Sequence, residues 1–135
     1  MNIDRIIKEL DKLTNKAINN NEVPISCLIV KDNKIISKSY NKVNKTNNIL
    51  MHAEIISIKK AAKKLNNWRL TECDLYVTLE PCSMCKEIIK KSRIKNVYYF
   101  IKQNDNKTES DTNYNFLNNY SLFSSKLTDF FKNKR

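Results

Sequence analysis

Glycine is absent from this sequence, which has 135 residues, two prolines and a single histidine. The hairpin turn that we predict at Lys31-Asp32-Asn33 therefore uses Asp and Asn where glycine might be expected. Long apolar runs are also missing: no stretch approaches the roughly 20 consecutive apolar residues of a membrane-spanning helix, and the N-terminus lacks an apolar signal-peptide core. We therefore expect a soluble, cytoplasmic protein with no membrane partner.

Four cysteines are present: Cys27, Cys73, Cys82 and Cys85. In a secreted chain they could form two disulfides, but the missing signal peptide argues against that interpretation. The close spacing of Cys82 and Cys85 is more typical of metal ligation or redox chemistry.

Basic residues dominate the charge. Lys and Arg number 25 against 14 for Asp and Glu, so the formal net charge is +11. This charge suits a polyanionic partner such as nucleic acid, because phosphate contacts release counterions. A second explanation stays open, since the chain is rich in Lys, Asn, Ile and Tyr, whose codons are AT-rich, and genomic base composition could account for much of the basicity.

Length and hydrophobic periodicity indicate the fold class. With 135 residues, 41% of them hydrophobic, the chain is long enough for one core and too short for two, which predicts a single domain over residues 1–135. The order of elements predicts an α/β fold in which helices cover both faces of a central mixed sheet. Those elements are a helix over roughly the first 20 residues, hairpin strands over 25–30 and 34–40, a helix over 52–65, a strand over 75–79, a helix over 81–92, a strand over 97–101, and one or two short closing helices that include Phe116, Leu117, Leu122, Leu127, Phe130 and Phe131.

Two short segments contain the residues with the clearest chemistry: His52-Ala53-Glu54 and Pro81-Cys82-Ser83-Met84-Cys85, each at the start of a predicted helix. Together they supply one imidazole and two thiols, a ligand set suited to zinc. Structural zinc sites usually fill all four positions with Cys and His, whereas catalytic sites leave one to water, so three evident ligands favour catalysis. We also expect the partial positive charge of the helix N-termini to lower the pKa of the thiols.

Glu54 is too close to His52 in the sequence to be another ligand of the same ion, and it can instead move protons beside the open zinc position. Zinc lowers the pKa of a bound water towards about 7, so these residues fit hydrolytic deamination of an amidine-like ring carbon. A purely structural zinc site, with Cys73 as the fourth thiolate, is the alternative. Because Cys73 lies at the near end of a predicted strand, we interpret it, like Cys27, as a small core residue.

Four segments have specific motifs: Glu22-Val23-Pro24, Met51-His52-Ala53-Glu54, Asn67-Trp68-Arg69-Leu70 and Tyr76-Val77-Thr78-Leu79-Glu80-Pro81-Cys82-Ser83-Met84-Cys85. Through these segments the sequence resembles the bacterial tRNA-specific adenosine deaminases, from the first helix to about Tyr99. The resemblance implies a three-layer α/β/α, cytidine-deaminase-like domain that forms a homodimer and deaminates the wobble adenosine of a transfer RNA anticodon stem-loop, with the base flipped into the zinc pocket. It also implies that one zinc ion per chain is bound by His52, Cys82 and Cys85, with Glu54 as the proton shuttle.

The same resemblance implies four substrate contacts: Asn41, Ala53, Asp105 and Phe131. Asp105 corresponds to the family's loop aspartate only if an insertion is assumed, because a gapless alignment places Gln103 there. Asn41 could instead be a turn residue at a strand end, and Phe131 could pack in the core.

Three residues depart from the family's pattern. Phe100 stands where a glycine usually follows the strand tyrosine, and Lys86 and Glu87 replace small residues after the second zinc cysteine. Bulk at these positions could narrow the pocket or alter a dimer contact. Two other functions therefore stay open: deamination of a free base such as guanine or cytosine, and a non-catalytic partner subunit that binds zinc and RNA.

Overall fold

The computed structural model describes residues 2–103, 110–118 and 120–133. Within these ranges no helix is long and apolar enough to cross a membrane. The elements are, in chain order, α1 (Ile3–Asn19), β1 (Ser26–Lys31), β2 (Lys34–Tyr40), α2 (Val43–Thr46), α3 (Ala53–Leu65), β3 (Asp74–Leu79), α4 (Ser83–Lys91), β4 (Asn96–Ile101), β5 (Asn113–Phe116) and α5 (Leu122–Lys132).

The strands form one mixed sheet in the order β2-β1-β3-β4-β5. β1 is antiparallel to both β2 and β3, whereas β3, β4 and β5 are parallel. Because β2 and β3 run in the same direction on either side of β1, their carboxyl ends lie at the same edge of the sheet. Asn41 follows β2 at this edge and Cys82 lies just beyond β3, so the topology brings together residues that are far apart in sequence.

Helices cover both faces of the sheet. α3 and α4 pack on one face, where Ile58, Val77 and Ile89 are buried together. α1 and α5 pack on the other face, around Leu28 and Phe123. The buried residues of α1 follow the spacing of a single helical face: Ile6, Leu10, Leu13 and Ala17. These three layers confirm the α/β/α fold predicted from the order of elements.

Asn and Asp take the left-handed backbone positions that glycine usually occupies. Asp32 and Asn33 form the turn of the β1–β2 hairpin with φ angles of 51° and 60°, as a type I′ turn requires. Asn47 and Asn66, each with a φ of 51°, end α2 and α3. The predicted glycine-free hairpin turn is thus confirmed.

The segment after β4 differs from the sequence-based expectation. Periodicity predicts Phe116 and Leu117 in a closing helix, but Phe116 is the last residue of β5 and the closing helix begins only at Leu122. β5 pairs in parallel with β4 along its whole length. Two of its four residues are Asn, which is depleted in strands, so pairing with β4 outweighs the local preference of this segment.

Candidate active site

Two helix N-termini meet at the sheet edge where β2 and β3 end. His52 is the N-cap residue of α3, and Cys82 is the N-cap residue of α4. Ser, Thr, Asp and Asn are the usual N-cap residues, because their side chains accept hydrogen bonds from the first turn. Neither His52 nor Cys82 makes such a bond. This departure from local helix preference, repeated at both helices, is typical of residues kept for function.

The imidazole of His52 and the thiols of Cys82 and Cys85 form a compact donor set. His52 Nδ1 lies 3.9 Å from Cys82 Sγ and 3.4 Å from Cys85 Sγ. All three ligand atoms lie within 4.8 Å of one another, and no other such group of His, Cys, Asp or Glu occurs in the described ranges. Tetrahedral zinc, with its usual Zn–N and Zn–S bond lengths, would place a nitrogen and a sulfur ligand about 3.6 Å apart. The donor set therefore fits a zinc ion.

Burial shifts the pKa of two of these donors, His52 and Cys85. It lowers the pKa of His52, which favours the neutral imidazole that binds zinc. It raises the pKa of the Cys85 thiol well above its usual range, and the nearby charge of Glu54 acts in the same direction. The expectation of a lowered pKa is therefore wrong for Cys85, because burial outweighs the helix N-terminus. Since zinc binds the thiolate, binding of the ion displaces this proton.

Glu54 lies in the first turn of α3, and only 4% of its surface is exposed. Burial raises the pKa of Glu54 to about 7, although hydrogen bonds from a backbone amide and from Cys85 oppose the shift. A carboxyl group with such a pKa can both accept and donate protons near neutral pH. Glu54 is not a member of the donor set, so its carboxyl group is left for proton transfer.

Side chains of β2, and of Asn41 directly after it, hold the N-terminal part of α3. Asn41 Oδ1 accepts a hydrogen bond from the Ala53 amide at 2.7 Å, and the Ser39 hydroxyl donates to the Ala53 carbonyl at 2.6 Å. Ser37 donates to the Ser57 carbonyl at 2.8 Å. Ser37 and Ser39 face the same side of the strand because they are two residues apart. Neither serine was predicted from the sequence, where their two-residue spacing ahead of Asn41 was the available signal.

The predicted substrate residues lie in three different settings. The Ala53 amide is bound by Asn41 Oδ1, which leaves Asn41 Nδ2 as the side-chain donor for a substrate. Phe131 is 53% exposed and its ring contacts that of Phe130, so the alternative of core packing is wrong for this residue. Asp105 lies outside the described residues. The substrate contacts of all four residues stay predictions.

The residues that depart from the family's pattern do not share one environment. Phe100 is buried on the face opposite α3 and α4, where its ring packs edge-on against Phe123 with centroids 5.2 Å apart. Phe100 therefore fills the core under α5 and does not narrow the site. Glu87 is exposed, whereas Lys86 is buried beside Glu80.

The two remaining cysteines belong to the core. Cys27 and Cys73 are buried between the sheet and the layer of α3 and α4, and neither belongs to the donor set. Cys73 precedes β3 whereas Cys82 follows it, so a six-residue strand, about 20 Å long, separates them. This separation excludes Cys73 as a fourth ligand.

Residues 1–101 match the family model of the cytidine and deoxycytidylate deaminase zinc-binding region. This segment contains the whole donor set and Glu54, and it covers well over half of the chain. The chain therefore belongs to this family of zinc-binding deaminases. Zinc, the metal that the donor set fits, is also the metal that the family binds.

Several relatives are named tRNA-specific adenosine deaminase. The chain is 45% identical over 95 residues to that of Rickettsia bellii, which corresponds to 69% of this chain and 66% of the relative. It is 43% identical over 93 residues to that of Streptococcus pyogenes, covering 69% and 56% of the two proteins. For Aquifex aeolicus the identity is 44% over 84 residues, covering 62% and 56%. The chain thus spans less than two thirds of the length of each of these relatives.

Solved structures share the fold. A tRNA A34 deaminase studied for A-to-I editing at the wobble position superposes with a TM-score of 0.79 at 28% identity, over 84% of this chain and 98% of that chain. The guanine deaminase of Bacillus subtilis gives a TM-score of 0.71 at 28% identity, over 98% and 95% of the two chains. A guanine deaminase from Nitrosomonas europaea gives 0.80 at 16% identity, over 93% and 82%, a similarity of fold alone. These matches confirm the cytidine-deaminase-like fold.

Proposed function

We propose that this protein converts adenosine at the wobble position of a transfer RNA anticodon stem-loop to inosine by hydrolytic deamination. The supporting observation is the buried carboxyl group of Glu54 beside the donor set of His52, Cys82 and Cys85. A purely structural zinc site has no use for a buried proton-transfer group at this position. The relatives named tRNA-specific adenosine deaminase support the choice of substrate.

In this proposal His52, Cys82 and Cys85 would hold one zinc ion. The ion would supply Lewis acidity, which lowers the pKa of water towards about 7. Glu54 accepts a proton from the attacking water and gives it to the ring nitrogen beside the amino-bearing carbon. A second proton passes through Glu54 to the departing amine. One water is thus consumed, and one ammonia released, for each inosine formed.

Four residues take part in RNA binding in this proposal, three of them by contact. Asn41 donates to the target nucleotide through Nδ2, and Ala53 contributes by binding Asn41 Oδ1 and fixing the orientation of that amide. Phe131 offers an exposed ring on which a flanking base can stack. We keep Asp105, which follows β4 in the sequence, as a proposed contact to the RNA. The net charge of +11 supports a polyanionic substrate.

The first test is an inosine assay. Purified, zinc-loaded protein is incubated with an anticodon stem-loop that has adenosine at the wobble position, and inosine is quantified after digestion of the RNA. Free adenosine, cytosine and guanine are tested in parallel, with a stem-loop that has guanosine at the wobble position as the matched RNA control. We expect inosine from the first stem-loop alone. Turnover of a free base, with no inosine in the RNA, would contradict the proposal.

A guanine deaminase is the second candidate. It is favoured by the similarity to the Bacillus subtilis guanine deaminase, which extends over 98% of this chain and 95% of that one. The two candidates differ in their response to salt, because phosphate contacts weaken steeply as salt rises, whereas a small neutral base makes none. Turnover of guanine with a salt-independent KM would support this candidate over the first.

We also propose that the protein is a cytoplasmic homodimer, as the resemblance to the bacterial enzymes implies. Sedimentation equilibrium over a range of concentrations tests the dimer.

A non-catalytic partner subunit stays an alternative, and the inosine assay distinguishes it from an enzyme. Such a subunit would bind zinc and the stem-loop, but it would turn over neither the stem-loop nor free adenosine, cytosine or guanine.

A further inference from the structure

Lys86 is a buried lysine that neither zinc binding nor proton transfer explains. It follows Cys85 in α4, and only 5% of its side chain is exposed. Lysine is almost never buried to this degree unless it is paired. Its Nζ atom lies 3.0 Å from Glu80 Oε2 and 5.3 Å from the centroid of the Tyr114 ring. The ammonium group is thus enclosed between a carboxylate and an aromatic ring.

Glu80 links Lys86 to a third segment of the chain. While Oε2 accepts from Lys86, Oε1 accepts from the Gln103 backbone amide at 3.0 Å. In return, Gln103 Nε2 donates to the Glu80 carbonyl at 3.0 Å, and the Glu80 amide donates to the Ile101 carbonyl at 2.9 Å. Glu80 therefore connects α4 to the end of β4.

Both zinc cysteines lie between Glu80 and Lys86 in the sequence. The ion pair consequently closes a loop of residues 80–86 that contains Cys82 and Cys85. Inside this loop the Lys86 amide also donates to the Cys82 carbonyl at 2.9 Å. Cys82 itself has no side-chain cap bond that would hold it at the start of α4. The Lys86–Glu80 pair is the side-chain contact that bridges the two ends of the loop.

We propose that Lys86 is a positioning residue for the zinc site, which acts by holding Glu80 and so keeps the two cysteine thiolates at the spacing that the ion needs. Groups that orient metal ligands without touching the metal commonly affect metal affinity. Lys86 acts through the geometry of the loop, not through contact with the substrate. The bulk added at Lys86 is therefore directed into an ion pair.

The test compares Lys86→Met with Lys91→Met, the same substitution at an exposed position of the same helix. Zinc affinity is measured by competition with a chromophoric chelator, and thermal stability is measured on the same samples. We expect Lys86→Met to weaken zinc binding about 10- to 100-fold, while Lys91→Met stays within about twofold of the unsubstituted protein because its side chain contacts neither loop end. The absorption spectrum of Co²⁺ bound in place of zinc should also change in Lys86→Met, because it reports ligand geometry.

A purely structural role predicts a different result. If Lys86→Met lowers thermal stability but leaves zinc affinity and the Co²⁺ spectrum unchanged, the proposal is overturned; an equal loss of affinity in Lys91→Met overturns it too. Should Lys86→Met fail to fold, the double variant Lys86→Met/Glu80→Gln replaces it, because it removes both charges and leaves neither without its partner. A zinc affinity of the double variant below that of the control supports the proposal, and an affinity equal to the control contradicts it. Because zinc binding is the readout, the result does not depend on which base the protein deaminates.

Discussion

The two helix N-termini that form the site are held by different forces. α3 is held by uncharged hydrogen bonds from the neighbouring strand, chiefly those of Ser39 and Asn41 to Ala53. α4 is held by the ion pair of the buried Lys86 with the partly buried Glu80. A neutral hydrogen bond contributes about 0.5–1.5 kcal/mol, whereas removing one partner of a buried ion pair costs about 3–5 kcal/mol. The helix end with both thiolates should therefore tolerate substitution less well than the end with His52.

The two ends also differ in chemistry. In the proposed function both supply metal ligands, but only α3 supplies a group for proton transfer, since Glu54 lies outside the donor set. Metal binding should therefore depend on both helix ends, whereas proton transfer should depend on α3 alone. Each part of this comparison can be tested by a substitution.

The largest effect is expected from Glu54→Gln, which removes the proton-transfer group and nearly preserves the volume of the side chain. We expect the rate of deamination, measured on whichever substrate the inosine assay identifies, to fall by about 10²- to 10⁴-fold, because general acid–base catalysis is lost. Zinc content, measured by elemental analysis, should be unchanged. Cys82→Ala is the matched comparison at α4 and should lose both zinc and activity. If Glu54→Gln loses zinc as readily as Cys82→Ala, the separation of roles between the helices is wrong.

A smaller effect concerns the forces that hold each helix. Ser39→Ala removes two neutral hydrogen-bond contacts with α3, to the Ala53 carbonyl and to the Ser57 hydroxyl, and should lower the free energy of unfolding by about 1–2 kcal/mol. Lys86→Met leaves the partly buried Glu80 carboxylate without its cation and should lower the free energy of unfolding by about 3 kcal/mol. Urea denaturation in the presence of a chelator measures both without a contribution from bound metal. Equal losses in the two variants would show that the ion pair and the neutral hydrogen bonds hold their helices equally well.

Much of this comparison could be predicted from the sequence because its signals are local. His52, Glu54, Cys82 and Cys85 lie within short motifs at helix starts, and the hydrophobic periodicity of α1 and α3 indicates which faces are buried. The hairpin turn could be predicted without glycine because Asp and Asn tolerate the left-handed conformation. The donor set and the order of most elements therefore follow from patterns within single segments.

The parts that could not be predicted depend on contacts between distant segments. β5 forms because it pairs with β4, against the low strand preference of its Asn residues. The hydrogen bonds of Gln103 with Glu80 connect residues 23 positions apart, and no local pattern indicates them. Lys86 could be recognised in the sequence as an unusual residue, but its ion pair depends on how the loop folds back on α4. The raised pKa of Cys85 likewise results from burial, which the helix-terminus argument ignored.

The smallest effect on the metal is expected from Cys73→Ala, which tests whether the two helix N-termini supply all the cysteine ligands. Cys73 is 1% exposed and packs in the core on the side of α3 and α4. Because it lies at the opposite end of β3 from Cys82, its replacement should leave zinc stoichiometry and affinity unchanged. The loss of buried volume should still lower the free energy of unfolding by about 1 kcal/mol. Cys85→Ala, a matched removal of a buried thiol within the donor set, should abolish stable zinc binding. A loss of zinc in Cys73→Ala would require the thiol to reach the site, and the comparison between the two helix ends would then omit a ligand.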